Sequence, residues 1–183
     1  MAARIIILNG VGSVGKTSIA KALQEITATP FLHVSMDVFC DMLPPAYFDH
    51  PDGMRFVTGE SDGKPSVVIH SGPVMDRLMD GMRRSVAALA ASGNDLIVDD
   101  VMLSNEPDEY RRVMAPYSVH WVGVKASLEV LEAREKARGD RLIGLARWQF
   151  DRVHAGRQYD LEIDTGNITP AAAAGLIKAR FDL

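Results

Sequence analysis

The chain has one cysteine, Cys40, among its 183 residues, so an intrachain disulfide is excluded and a reducing compartment, the cytoplasm, is expected. It has no apolar run near the length of a membrane-spanning helix, which argues against an integral membrane protein. The aliphatic run in "MAARIIILNG" is too short for the core of a signal peptide. It has no excess of positive charge either. With 20 Lys and Arg against 24 Asp and Glu, the net charge is −4, which is not the footprint of a duplex nucleic-acid binder. None of the five histidines pairs at zinc-ligand spacing, and the lone cysteine does not help. There is no internal repeat, and the one low-complexity patch, 171–174, is helix-friendly alanine. A single domain over 1–183, with neither nucleic-acid nor membrane partners, is expected; composition leaves the oligomeric state open.

What is present is a rhythm. Short aliphatic runs at 4–9, 31–36, 96–98, 117–124 and 159–164 read as five strands. Helical patterns at 15–26, 73–92, 127–138, 141–153 and 170–181 alternate with them. Such alternation predicts an α/β fold: a five-stranded parallel sheet with helices on both faces. Residues 44–72 interrupt it. Prolines and glycines crowd this stretch, which reads as a long irregular loop, with Tyr47, Phe48 and Phe56 available to line a substrate pocket. Met75, Met79 and Met82, at helical spacing, read as core filler. His33 and His120 read as packed or edge strand residues, and Trp121 and Trp148 as core or interface.

The strongest motif follows the first strand. Gly10, Val11, Gly12, Ser13, Val14, Gly15, Lys16 and Thr17 match G-x-x-x-x-G-K-[ST], with a strand before and a helix after. In a P-loop of this kind, glycines let backbone N–H groups curl around phosphate oxygens, and the helix adds its positive end. Lys16 is then expected at the β- and γ-phosphates and the Thr17 hydroxyl at Mg²⁺, with Ser18 completing the nucleotide-binding run. "LIVDD" at 96–100 is a hydrophobic strand ending in acid, so Asp99 or Asp100 is the candidate metal-site carboxylate. Alternation cannot choose between them when both sheet faces are buried.

Two further features narrow the class. No guanine-reading Asn-Lys-x-Asp string occurs. "REKARGDR", 134–141, places Arg134, Arg138 and Arg141 on one helical face, with Gly139 as a stop. The bland alternative is a solvated charged face laced by Glu132, Glu135 and Asp140; beside a P-loop, a phosphate-closing lid over about 134–152 is the better reading. Asp37, in "HVSMDVFCD", stands where the second strand runs out. It is either a helix cap or the base that faces an acceptor hydroxyl, and the two are compatible.

Taken together, "RIIILNGVGSVGKTSIAKALQ", "SMDVFCDMLP", "LIVDDV", "HWVGVKA", "REKARGDR" and "VHAGRQYDLEIDT" resemble the chloramphenicol phosphotransferase-like family over nearly the whole chain. The resemblance implies a P-loop kinase fold, ATP and Mg²⁺ as cofactors, and phosphorylation of a hydroxyl on a small molecule. Chloramphenicol or a related antibiotic is the first candidate acceptor. It also implies Asp37 as catalytic base, Lys16 and Arg138 as the other catalytic groups, and Arg134, Arg138 and Arg141 as lid arginines on the nucleotide. By the same resemblance, Asp164, Thr165 and Gly166 border the base; Thr169 before Pro170 reads equally well as a helix cap. The match is weakest over 45–72, so the acceptor stays open: an aminoglycoside, a nucleoside and a shikimate-like metabolite are alternatives. So is an ATP-binding regulatory module without turnover.

Overall fold

The computed structural model describes residues 3–139 and 142–183. Five strands, β1 (Arg4–Asn9), β2 (Phe31–Ser35), β5 (Asp95–Asp100), β6 (Ser118–Lys125) and β7 (Leu161–Asp164), form one parallel sheet in the order β2-β5-β1-β6-β7. The five strands are those expected from the aliphatic runs. Ile5, Ile6, Ile7 and Leu8 of the central strand are all buried, because both faces are covered. Ile6 and Leu8 pack with α1 (Lys16–Ile26), α5 (Leu128–Arg138), α6 (Leu145–Val153) and α7 (Pro170–Phe181). Ile5 and Ile7 pack with α3 (Pro73–Ala91) and α4 (Glu106–Met114). In α3, Met82 is fully buried and Met75 nearly so, which is the filler role expected of them.

The departure lies in 44–72. Instead of an irregular loop, most of it is an antiparallel hairpin, β3 (Met54–Ser61) with β4 (Lys64–Ser71). Asp62 and Gly63 close it with φ of 53° and 71°, the two left-handed residues of a type I′ turn. The hairpin stands apart from the main sheet and packs on α6. The amide of Val67 donates to the carbonyl of Gly144 at 3.1 Å, and Lys64 pairs with Glu132 of α5. Proline and glycine density marks punctuation here, and the Asp-Gly pair is what identifies the hairpin.

The parallel register brings the business ends together. Ser35 of β2 and Leu8 of β1 both lie beside Asp99 of β5. The segments that leave β1, β2 and β5 therefore converge at the carboxyl edge, where open α/β sheets bind ligands. No helix among the described residues is long and apolar enough to cross a membrane.

Gly144 joins the hairpin to the segment after α5. Its φ is +103°, and a Cβ there would lie 2.5 Å from the Pro65 carbonyl oxygen. Gly144→Ala is expected to cost on the order of 1–3 kcal/mol of stability, read by urea denaturation. An alanine variant as stable as the parent would contradict this packing.

Candidate active site

The loop after β1 is shaped by exclusion and by conformation. A Cβ at Gly10 would meet the Val124 carbonyl oxygen at 2.4 Å, so only glycine fits. Gly15, at the start of α1, has φ +102°. Lys16 begins the helix and folds back, its Nζ donating to the carbonyls of Gly10 (2.8 Å) and Val11 (3.2 Å). The loop is held from outside as well. The Gly12 amide donates to Gln149 Oε1 of α6 at 2.8 Å. The Val14 carbonyl accepts from Thr165 Oγ1 (2.9 Å) and from Arg134 Nη1 (3.3 Å).

Asp99 is the hub. Its Oδ2 accepts from the Thr17 hydroxyl at 2.9 Å and lies 2.8 Å from His33 Nε2, while Oδ1 accepts from Ser35 Oγ at 3.3 Å. Burial opposes its ionisation, but the His33 hydrogen bond and the nearby Lys16 charge outweigh burial and hold the carboxyl below its ordinary range. Asp100 points elsewhere. Its oxygens accept from the Tyr110 hydroxyl (2.9 Å) and the Val101 amide (2.7 Å), and burial pushes its carboxyl up to about 6. Of the two candidate acids, Asp99 faces the P-loop and Asp100 the helix α4.

A cavity of about 900 Å³ opens at this edge of the sheet. Gly12 to Ser18 line it, with His33, Asp37, Asp99, Arg134, Arg138 and Thr165. Gly10 and Val11 do not: Val11 is a buried core residue, and the pair meet Lys16 through their carbonyls. Asp37 lies in the first turn of α2 (Met36–Cys40), whose N-cap position is taken by Ser35. Arg134 is fixed by Thr165, donating to its carbonyl at 2.7 Å and to its hydroxyl at 3.1 Å. Gly139 ends α5 in the left-handed conformation, as expected. Arg141 lies outside the described residues. Thr169 caps α7 ahead of Pro170, and of the three residues expected to border the base only Thr165 lines the cavity, with Ile168 and Pro170 beside it. None of the walls comes from 44–72.

Several site residues escaped the sequence reading. His33 is not merely packed, since it reaches Asp99 from the cavity wall. The signal was its alternation with Ser35 on one face of β2. Glu135 is buried rather than solvated, accepting from the amides of Gly144 and Ala146 at the start of α6. Gln149 carries no sequence signal at all.

Thr17 and Asp99 present hard oxygen donors 2.9 Å apart, which suits Mg²⁺ beside a bound phosphate. Comparisons with known proteins show the family and the fold. The family model of chloramphenicol phosphotransferase-like proteins matches residues 3–182. Two Mycobacterium tuberculosis proteins, provisionally named O-phosphotransferases, are 36% identical over 168 residues, 88% of this chain and 75% of theirs. Among solved structures, a Deinococcus radiodurans tunicamycin resistance protein superposes with TM-score 0.67 at 20% identity, covering 99% of this chain and 96% of its own. Shikimate kinase of Aquifex aeolicus gives 0.58 at 15%, covering 97% and 96%. These two likenesses establish the P-loop kinase fold.

Buried Asp100 and half-buried His154 titrate in opposite senses. The folded chain holds the Asp100 proton up to about pH 6, whereas the unfolded chain releases it near pH 4, so this group makes stability fall as pH rises through that window. His154 is pushed down to about 4 by burial and the Lys125 charge, so it makes stability rise with pH from about 4 towards its ordinary value. Asp100→Asn removes the first of these and leaves the second. Its stability should climb more steeply with pH between about 4 and 6 than the parent's, by on the order of 1–3 kcal/mol in chemical denaturation. Parallel curves would contradict the assignment.

Proposed function

The chain belongs to the chloramphenicol phosphotransferase-like family, and from that premise we propose that it transfers the γ-phosphoryl of ATP to a hydroxyl of a small molecule. One observation carries the reading: Lys16, Thr17, Asp37, Asp99 and Arg138 stand on the walls of a single cavity at the carboxyl edge of the sheet. A phosphate-binding loop, a metal-site carboxylate, a second carboxylate and a lid guanidinium are the parts that phosphoryl transfer needs.

In this mechanism the P-loop amides and Lys16 take the phosphates, Lys16 leaving the loop carbonyls it now contacts. Thr17 and Asp99 would hold Mg²⁺, which would neutralise charge on the bound phosphates. His33 and Ser35 fix the orientation of Asp99. Asp37 accepts a hydrogen bond from the acceptor hydroxyl and takes its proton late, because the phosphoryl transition state is loose. Arg138 is the lid residue over the transferring group, with Arg141 completing the lid, while Arg134 braces the P-loop against the base-side segment. Positioning and charge neutralisation supply most of the acceleration. A lid over about 134–152 and an acceptor subsite completed by 44–72 fit this scheme, since the hairpin in 44–72 is tied to α5 and α6. Chloramphenicol or a related antibiotic heads the acceptors, with an aminoglycoside, a nucleoside and a shikimate-like metabolite behind it.

The test is ADP release measured against that acceptor panel. One acceptor should stimulate release. Asp37→Asn should then lower kcat by about 10²–10⁴-fold with ATP affinity nearly intact. Lys16→Ala should lose transfer more severely. Full turnover in Asp37→Asn would reduce that carboxylate to a helix-end residue. ATP binding without any acceptor-stimulated release would favour a regulatory module.

A further inference from the structure

The cavity wall carries one charge that phosphoryl transfer, as laid out above, leaves idle. Lys16 and Arg138 go to the phosphoryl groups, Arg134 is taken by Thr165 and His33 by Asp99, and Asp37 faces the acceptor hydroxyl. Lys21 lines the same cavity, and no role falls to it. It is exposed, and among the described residues it has neither a hydrogen bond nor an ion pair. Glu25 stands four residues on along α1, the ordinary place for a helical partner, yet the two do not pair.

Its place on the helix decides which part of a ligand it meets. Thr17 and Gln24 both turn to the β2 side of α1, Thr17 to Asp99 at 2.9 Å and Gln24 Nε2 to the Phe31 carbonyl of β2 at 2.7 Å. Lys21 lies four residues after the first and three before the second, so it shares their face. That face looks towards β2 and the start of α2, where Met36, Asp37 and Val38 line the cavity. Five residues beyond Lys16, it stands about 7.5 Å further along the helix axis, past the turn whose amides receive the phosphates. Helical side chains lean back towards the N-terminus, so the stem of Lys21 points along α1 to the carboxyl edge of the sheet, the edge that holds Asp37.

Resting on the phosphotransferase reading above, we propose that Lys21 is a specificity-determining residue for the acceptor: its ammonium pairs with an anionic group, a carboxylate or a phosphate, on the molecule whose hydroxyl faces Asp37. A hydroxylated anion brought beside Asp37, Asp99 and the phosphates of ATP needs such a counter-charge; a neutral or cationic acceptor leaves it unused. Of the acceptors considered above, the shikimate-like metabolite is of this class. Lys21 takes no part in the transfer itself. There the acceptor oxygen bonds to the γ-phosphorus, the bond to the bridging oxygen breaks to leave ADP, and the hydroxyl proton passes to Asp37.

The test pairs acceptors that share hydroxyls and differ in charge: shikimate with its methyl ester, and ribose 5-phosphate with ribose. ADP release is followed for each, with chloramphenicol as a neutral reference. One anion should be turned over with kcat/KM at least tenfold above its uncharged mate, about the worth of one hydrogen bond between charged groups. The pair that responds distinguishes a carboxylate from a phosphate. Lys21→Met keeps a helix-forming stem and removes the charge. It should raise KM for that anion by about 10–100-fold, with kcat and the KM for ATP little changed. Lys21→Arg should recover most of the loss, and the methionine variant should lose nothing further on the uncharged mate. A neutral compound as the best acceptor, an unaltered KM in Lys21→Met, or an equal rise in the KM for ATP would overturn the proposal and leave the phosphotransferase reading standing. No stimulated release by these compounds or by the panel above, from a parent that binds ATP, would overturn that reading instead.

Discussion

The buried carboxylate of Asp99 is the contact on which the site depends. It stands one residue before the end of β5, the strand between β2 and β1, and it gathers a hydroxyl from the P-loop helix and an imidazole and a hydroxyl from β2. An ionised group at this depth is tolerated only because these donors and the Lys16 ammonium compensate for lost water. The same compensation keeps Thr17, His33 and Ser35 in fixed places before any nucleotide enters. Asp100, one residue on, has the opposite environment and the opposite tendency, facing Tyr110 in a dry interior. Adjacent residues on one strand thus serve different layers: one the site, the other the packing of the sheet against α4.

A second set of contacts joins the parts expected to move. Glu135 caps α6, Glu132 pairs with Arg147 and Lys64, and Gly144 is bonded to the hairpin. Gln149 on α6 and Arg134 on α5 reach back to the P-loop. Helices α5 and α6 are thus tied to the phosphate loop on one side and to the hairpin on the other. The hairpin itself supplies no wall of the cavity.

The frame was legible in the sequence because buried parallel strands are continuous aliphatic runs and the P-loop is a local motif. "RIIILN" and "LIVDD" could hardly be anything else in an alternating chain. What was not legible was either amphipathic in too few residues or set by distant partners. Helix α4 buries only Pro107, Tyr110 and Met114 in a strongly polar segment, so its period is faint. The hairpin's outward residues are mostly polar or small, and its Pro and Gly obscured the Asp-Gly turn. The choice between Asp99 and Asp100 depends on which sheet face α1 covers, information that no single strand carries. Gln149 and Glu135 find their roles across 137 and 9 residues of separation, through backbone amides that every residue type but proline shares.

The central claim is that one cavity holds the donor on the P-loop with Asp37 facing the transferred group. A crystal structure with ADP, Mg²⁺ and aluminium fluoride tests it most directly. The account predicts ADP phosphates wrapped by Gly12 to Thr17, the metal beside Thr17 and Asp99, and the fluoride complex lying between the β-phosphate and the Asp37 carboxylate. ADP bound elsewhere, or a fluoride complex with Asp37 turned away from its open face, would contradict it.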